Sequence, residues 1–329
     1  MDSSILAWIV FHVLIIIMLA LDLGVFHRHA HKVSLREAAG WTVVWIVLAL
    51  LFNLGVYYTR GPHAGLEFLT GYLIEKSLSV DNIFVFVLIF SYFGVPATYQ
   101  HRVLFWGVLG AIVMRGILIA LGTALIYRFH WIVYVFGAFL IATGIRMARH
   151  RDEVVDLQRS PVVRWIRRYV PLTDTYEGEH FFVRKDGRRL ATPLFLVLMV
   201  VEASDLVFAV DSIPAVFAVT RDPFIVYTSN ILAILGLRAL YFLLAGVVGM
   251  FRYLKPALAF ILTFVGLKMV LSDIIHVPPQ LSLAVVAAAL AVGVGASLLH
   301  PEPRRAGAEA PSREDAAPAA GDPASGRGH

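Results

Sequence analysis

Nine long apolar runs constrain the fold of this 329-residue chain more than any other feature of its sequence. The hydrocarbon core of a bilayer is about 30 Å thick, so roughly 20 apolar residues of helix cross it. Because 59% of the residues are hydrophobic and 16% are charged, the composition differs strongly from that of a soluble domain. The sequence predicts an all-α polytopic membrane protein with about nine transmembrane helices. These spans lie near residues 5–26, 38–58, 66–93, 103–127, 131–147, 194–219, 225–250, 256–275 and 281–299.

Basic residues fall on alternate loops and predict the orientation of the chain. Arg28 follows the first run, and a long, strongly basic connection follows the fifth. The opposite loops contain only Arg60, Arg128 and Arg221. Since cytoplasmic loops are enriched in lysine and arginine, we expect the N-terminus outside and the C-terminus in the cytoplasm.

A three-helix unit occurs twice in the sequence. The segment "SVDNIFVF" aligns with "AVDSIPAV" further along, and two later segments align in the same order. Because each unit contains an odd number of spans, the second is predicted to be inverted relative to the first. Inverted repeats are typical of secondary transporters, in which the site lies between the halves. A duplication retained for packing is the alternative. The aligned pairs are Glu75 and Asp205, Asp81 and Asp211, Arg115 and Arg238, and Gly144 and Gly266.

The repeats divide the chain into six predicted segments. In the connection, "SPVVRWIRRYVP" favours a short amphipathic helix, either at the membrane surface or solvated, and Asp186-Gly187 favours a hairpin. The segments are two N-terminal transmembrane helices (1–60), the first three-helix repeat (66–147), the cytoplasmic connection (148–193), the second three-helix repeat (194–276), a C-terminal transmembrane helix (279–300) and a disordered cytoplasmic tail (301–329).

Charged residues inside the predicted spans call for neutralisation, since each costs about 2.5–3.5 kcal/mol at a helix centre. Ion pairs with acids inside the spans account for the basic residues. Six acids against three bases still leave an excess of negative charge, which a bound cation or protons on the acids would neutralise. The acids are Asp22, Glu75, Asp81, Glu202, Asp205 and Asp211, and the bases are Lys76, Arg115 and Arg238.

The ligand chemistry narrows the predicted ion. Carboxylates, together with Asn82 and Ser212, form an oxygen-only set that suits Mg²⁺, Ca²⁺ and Mn²⁺. We predict Asp81 and Asp211 as central metal ligands. The other predicted ligands are Glu75, Asp205 and Glu202, with Asp22, Lys76, Arg115 and Arg238 balancing charge.

Helix geometry adds a predicted break. Asp205 and Asp211 are about 9 Å apart along a regular helix, so one ion does not readily contact both. Pro214 donates no backbone N–H and crowds the carbonyl of Val210. We therefore expect the helix to bend or break at Pro214 and expose this carbonyl as a ligand.

Four segments of the sequence resemble the TerC family of bacterial membrane proteins, including its Alx branch. They are "LDLGVFHR", "EKSLSVDNIFVF", "QHRVLFWGVLGAIVMRG" and "EASDLVFAVDSIPAVF". The resemblance implies manganese export, as in the Alx-like branch, and an association with tellurium resistance. Because tellurite is an anion and the predicted site is acidic, that association is expected to be indirect. The resemblance places Asp22, Glu75, Asp81, Glu202, Asp205 and Asp211 in the acidic membrane motifs of the family.

The sequence as a whole predicts an exporter in the bacterial inner membrane that exchanges a divalent cation, Mn²⁺ first, for protons. The expected partners are the lipid bilayer, the ion and protons, with no tightly bound cofactor and no nucleic acid. An enzyme is not expected, because Asp81 and Asp205 lack the glycine-rich context of intramembrane aspartyl proteases. A metal-binding scaffold or insertion factor without transport activity is the alternative.

Overall fold

The structure is a computed structural model of the chain, and it is almost entirely helical. The predicted tail and the side chains of Asp22 and Asp81 lie outside the described residues. The residues described are 3–26, 34–129, 131–149, 161–185, 187–245, 253–275 and 277–299.

Eleven helices and one two-stranded sheet are present in these ranges. The helices are α1 (Ser3–Phe26), α2 (Leu35–Arg60), α3 (Pro62–Tyr92), α4 (Ala97–Arg128), α5 (Ile132–Arg149), α6 (Pro161–Tyr169), α7 (Pro193–Phe217), α8 (Pro223–Leu235), α9 (Leu237–Leu244), α10 (Leu254–Val270) and α11 (Pro279–Leu299). The strands are β1 (Phe182–Lys185) and β2 (Arg188–Ala191).

Several helices are suited to cross a membrane, which agrees with a polytopic membrane protein. Within the described residues, α2, α4, α5, α7 and α11 are long and apolar enough, and the bent pair α8–α9 gives a sixth candidate. Large apolar side chains such as Ile16, Leu121 and Val292 are exposed on the outer faces of the helices, where lipid would contact them. The other three predicted spans coincide with α1, α3 and α10. The apolar part of α1 covers Ile5–Ala20, α3 carries several charges, and α10 has 17 residues.

The predicted break at Pro214 is wrong, because α7 continues through this residue to Phe217. One proline costs the helix a single backbone hydrogen bond, and α7 ends three residues later. The structure instead interrupts a helix at Gly236, where α8 and α9 meet at an angle of 41°. A Cβ atom on Gly236 would lie 2.9 Å from Lys76 Nζ and 3.0 Å from Trp45 Cβ. Glycine at this position therefore allows α2 and α3 to approach the bend closely.

Three helix pairs form the centre of the molecule. Helix α3 packs along α8, α4 packs along α7, and α5 packs along α10. The α5–α10 pair is the closest of these, because glycines bring the two backbones together. A Cβ atom on Gly266 would lie 2.7 Å from the carbonyl oxygen of Gly137, and one on Gly144 would lie 2.8 Å from that of Ala259. These helices cannot separate without losing this close packing.

The connection between α5 and α7 contains a short helix and a hairpin. Helix α6 packs against α7 and buries Val163 and Ile166, so its apolar side faces protein. Strands β1 and β2 are antiparallel, with Lys185 opposite Arg188. Gly187 has a φ of 75°, the left-handed conformation that a tight two-residue turn requires.

Candidate functional site

A buried ionic cluster lies where α3, α4, α7 and α8 meet. At its centre is Arg115 of α4, whose side chain is only 1% exposed. The guanidinium donates hydrogen bonds to both carboxylate oxygens of Asp205, at 3.1 and 3.3 Å, and to the carboxylate of Glu75. The side chains of Glu75 and Asp205 are 0% and 4% exposed. One cation therefore bridges the two acids that the repeat alignment pairs with each other.

Two neutral side chains complete the surroundings of the guanidinium. Asn230 of α8 accepts a hydrogen bond from Arg115 through Oδ1 at 3.0 Å and donates one to Glu75 Oε2 at 2.9 Å. The hydroxyl of Ser212 accepts a longer bond from Arg115 at 3.5 Å. The guanidinium thus donates hydrogen bonds to two carboxylates, an amide oxygen and a hydroxyl. All of these are oxygen donors that hard divalent cations also prefer.

Sequence reasoning missed Asn230, which lies inside the eighth helix among apolar residues. Its two polar neighbours, Thr228 and Ser229, are equally buried, but their hydroxyls donate to carbonyls of their own helix. An asparagine amide has more donors and acceptors than such local bonds satisfy. A buried Asn in an apolar span is therefore the signal that could have identified a partner on another helix.

A second base, the half-buried Lys76, follows Glu75 in the sequence but has a different neighbour. Its ammonium donates to the carbonyl oxygen of Ala233 at 3.3 Å, close to the end of α8. A cation at this position also interacts favourably with the negative end of the helix dipole. Lys76 thus stabilises the bend at Gly236 and does not join Glu75.

Asp211 lies further along α7, on a different side of the helix from the cluster. It is partly exposed, and the charge that acts on it comes from Arg146 of α5. Arg146 was not among the predicted charge-balancing residues.

Glu202 occupies a space on the surface of α4 that a glycine provides. A Cβ atom on Gly110 would lie 2.0 Å from Glu202 Oε1 and 2.5 Å from Cδ. Glu202 is about one helical turn before Asp205 on α7, on the same side of the helix. Its carboxyl group is therefore close to the cluster but is not one of the ligands of Arg115.

The remaining predicted residues are placed in less detail. Asn82 and Arg238 are buried, the latter in the first turn of α9, and the side chains of Asp81 and Asp22 lie outside the described residues. Within the side chains that the structure describes, no three His, Asp or Glu residues converge into a group that could hold a metal ion. The structure joins Glu75 to Asp205, and the five-acid metal site stays a prediction.

Comparisons with known proteins identify the relatives of the chain. The integral membrane protein TerC family matches residues 60–305. An uncharacterized membrane protein of Myxococcus xanthus is 55% identical over 292 residues, which cover 89% of this chain and 92% of the relative. Alx of Escherichia coli (strain K12), named as a proposed membrane-bound redox modulator, is 55% identical over 291 residues, covering 85% of this chain and 90% of Alx. An uncharacterized membrane protein of Rickettsia bellii is 43% identical over 295 residues, covering 90% of this chain and 98% of the relative. No solved structure matches the chain significantly.

Proposed function

Because the chain belongs to the TerC family of integral membrane proteins, we propose that it exports a hard divalent cation, Mn²⁺ first, in exchange for protons. The observation that carries the proposal is the cluster around Arg115. Two buried carboxylates from different halves of the chain are held together there by a cation that is part of the protein. A transported cation would bind the same oxygens when the guanidinium leaves them.

The packing of the helices supports an inverted repeat around this cluster. Exchanging the halves replaces α3 by α7 and α4 by α8, so the α3–α8 contact becomes the α7–α4 contact, and both are present. The same exchange converts the contact of Gly144 with Ala259 into the contact of Gly266 with Gly137. Reciprocal contacts of this kind are expected when a pseudo-two-fold axis lies between the halves.

Arg115 gives the proposed transport cycle its resting state. With the guanidinium between Glu75 and Asp205, the cluster has a net charge of minus one, and each of the four carboxylate oxygens already accepts a hydrogen bond. When a divalent ion takes its place, the same two carboxylates become neutralised by the cargo. Arg115 thus competes with the cargo for the two carboxylates. When no cargo is bound, the guanidinium neutralises them, so that they are not left as unpaired charges in the membrane interior.

Glu202 and Asp211 are the acids available for proton movement in this scheme. Both lie outside the hydrogen bonds of Arg115, and both are only partly buried. Carboxylic acids next to a metal site can take up protons when the cation leaves, which couples the two fluxes. The predicted topology has nine spans in the inner membrane, with the N-terminus outside and the C-terminus in the cytoplasm. Protons that enter the cytoplasm down their gradient would then drive export of the cation.

The name of the Alx relatives adds a role in redox balance, which fits the proposal only indirectly. The 329 residues contain no cysteine, so thiol chemistry within this chain is excluded. A transporter of a redox-active metal would change the redox state of the cell through its cargo. On this view the chain itself is not an enzyme, and its link to tellurium resistance is equally indirect.

A scaffold or insertion factor that binds metal without moving it is the competing function. The observation that favours it is the completeness of the Arg115 cluster, in which every guanidinium nitrogen has an oxygen partner. Such a cluster could serve stability alone. The two functions differ in one measurable property, which is net flux of the ion across the membrane.

Flux into inside-out vesicles loaded with a fluorescent manganese indicator tests the proposal. With an acidic interior, the parent is expected to take up Mn²⁺, and Asp205→Asn is expected to lose uptake. Asp222→Asn is the matched control, because Asp222 makes a surface pair with Arg60 at 3.0 Å and asparagine is also a good N-cap. Dissipation of the pH gradient should stop uptake by the parent.

Three outcomes would contradict parts of the proposal. Uptake by Asp205→Asn at the rate of the parent would exclude the cluster as the cation site. Uptake that does not respond to the pH gradient would exclude exchange with protons. A parent that binds Mn²⁺ in detergent but shows no flux under any gradient would establish the scaffold function instead.

A further inference from the structure

A groove outside the ionic cluster opens between the adjoining ends of α5 and α10. It has a volume of about 370 Å³ and is lined by residues of the last turns of α5, Arg146 excepted, and of the first three turns of α10. The two helices are antiparallel, so the last residue of α5, Arg149, meets the first turn of α10. The groove therefore has a basic mouth formed by two segments that are distant in sequence.

The chemistry of the groove changes along its length. Below the basic mouth, its walls include Ile145, which is 41% exposed, and Phe260, which is 54% exposed. Lys255 lines the groove, and its Nζ lies 5.0 Å from the centre of the Phe84 ring of α3. No acidic residue occurs among the described residues that line it. The groove thus combines two cations with an apolar channel that faces outward.

The location of the mouth decides between possible anions. Arg149 lies at the start of the connection whose basic residues predict a cytoplasmic position. Lys255 lies between the seventh and eighth predicted spans, which the alternation of loops places on the same side. A small soluble anion would use the cations but would leave the exposed apolar walls without a partner. An anionic phospholipid satisfies both, since basic pockets between transmembrane helices on the cytoplasmic side suit acidic headgroups.

We propose that this groove binds an anionic phospholipid of the cytoplasmic leaflet. The headgroup phosphate lies between Arg149 and Lys255, and an acyl chain follows Ile145 and Phe260. The site is separate from the Arg115 cluster and does not depend on transport. Because α5 and α10 are the third helices of the two predicted repeats, a lipid bound there contacts both halves.

The binding of phosphatidylglycerol to the full chain in detergent tests this site, with phosphatidylcholine as the neutral reference. Native mass spectrometry counts the bound lipids, and the titration gives their affinity. Two cations near the surface contribute about a thirty-fold gain in affinity, so Arg149→Gln/Lys255→Gln should bind phosphatidylglycerol about thirty-fold more weakly. The control is Arg188→Gln/Arg189→Gln, which removes the same charge from exposed positions in β2 and should bind like the parent.

A second variant tests the contribution of the apolar groove while both cations are retained. Ala148 is exposed and lines the groove, so Ala148→Trp fills the space and should weaken binding although both cations remain. If the double variant does not fold, the single changes Arg149→Gln and Lys255→Gln should each weaken binding about five-fold.

Three results would overturn the proposal. Equal losses in the β2 control would show diffuse attraction between charges and not a defined site. Unchanged binding by Ala148→Trp would place the lipid elsewhere. Competition by inorganic phosphate at the same concentration as the lipid would show that the mouth binds a free anion.

Discussion

Replacing Arg115 by methionine removes the guanidinium that joins Glu75 to Asp205 and leaves two buried carboxylates without a cation. Breaking a buried pair by removing one partner costs about 3–5 kcal/mol, because the remaining charge has no compensation. The unfolding entropy grows with chain length, so for 329 residues 1 kcal/mol corresponds to about 1–2 °C in the unfolding temperature. We therefore expect Arg115→Met to unfold about 3–10 °C below the parent.

Thermal unfolding in detergent without metal measures this difference. Arg60→Met is the matched control, because Arg60 also pairs with an aspartate, at 3.0 Å, but its side chain is 26% exposed. A pair of this kind contributes about 0–1 kcal/mol, so the control should unfold within about 2 °C of the parent. The difference between the two variants separates the effect of breaking a buried ion pair from the effect of losing an arginine at any position.

Addition of Mn²⁺ then tests whether the guanidinium occupies a cation position. At a concentration one hundred times the dissociation constant, a ligand specific for the folded state adds about 2.7 kcal/mol. This corresponds to roughly 3–5 °C in the unfolding temperature of the variant. The parent should gain less, because Arg115 already occupies the carboxylate oxygens and the ion must displace it.

Two results would refute this reasoning. If Arg115→Met unfolds within the range of the Arg60 control, Arg115 does not neutralise the two acids. If Mn²⁺ raises the unfolding temperatures of parent and variant equally, the ion binds elsewhere and Arg115 is not its competitor.

Two further predictions concern other parts of the chain. Gly110→Ala places a Cβ atom against the Glu202 carboxyl and should lower the unfolding temperature by roughly 1–6 °C and slow Mn²⁺ uptake. Gly107→Ala, whose Cβ would lie 3.4 Å from its nearest neighbour, should change neither property. In the connection, the hydrogen bond from Lys185 at 2.6 Å holds the pKa of Glu177 below its ordinary value of 4.5. Its stabilising effect is therefore complete above pH 4.5 and disappears as the pH falls through the lowered pKa. Lys185→Gln should return the pKa towards 4.5 in a carbon-13 NMR titration of this carboxyl group.

Local signals in the sequence were sufficient for most of the secondary structure and for the family. A run of about 20 apolar residues has few alternatives to a membrane helix, because a helix satisfies its backbone hydrogen bonds internally. The turn between β1 and β2 is equally local, since Asp-Gly at a two-residue turn permits the positive φ that Gly187 adopts. These features depend on neighbours within a few residues, which a sequence displays directly.

The candidate site needed information that such patterns do not contain. The repeat alignment paired Glu75 with Asp205, and the ion-pair hypothesis named Arg115 as a partner for acids, but neither specified which side chains meet. Arg115 lies 40 residues from Glu75 and 90 from Asp205 along the chain, and Asn230 reaches both Arg115 and Glu75 from a fourth helix. Helix rotation and tilt decide these contacts. Apolar runs leave rotation undetermined, because they are hydrophobic on every face.

The position of the helix break was also not predictable from local sequence signals. Pro214 gives a strong local signal, yet α7 absorbs it near its end. Gly236 gives a weak one, since glycine in a helix costs only about 1 kcal/mol relative to alanine. The bend forms there because Trp45 and Lys76, from two other helices, approach the position where a side chain would be, and Lys76 then binds the carbonyl of Ala233. The irregular backbone thus follows a tertiary contact with a half-buried base.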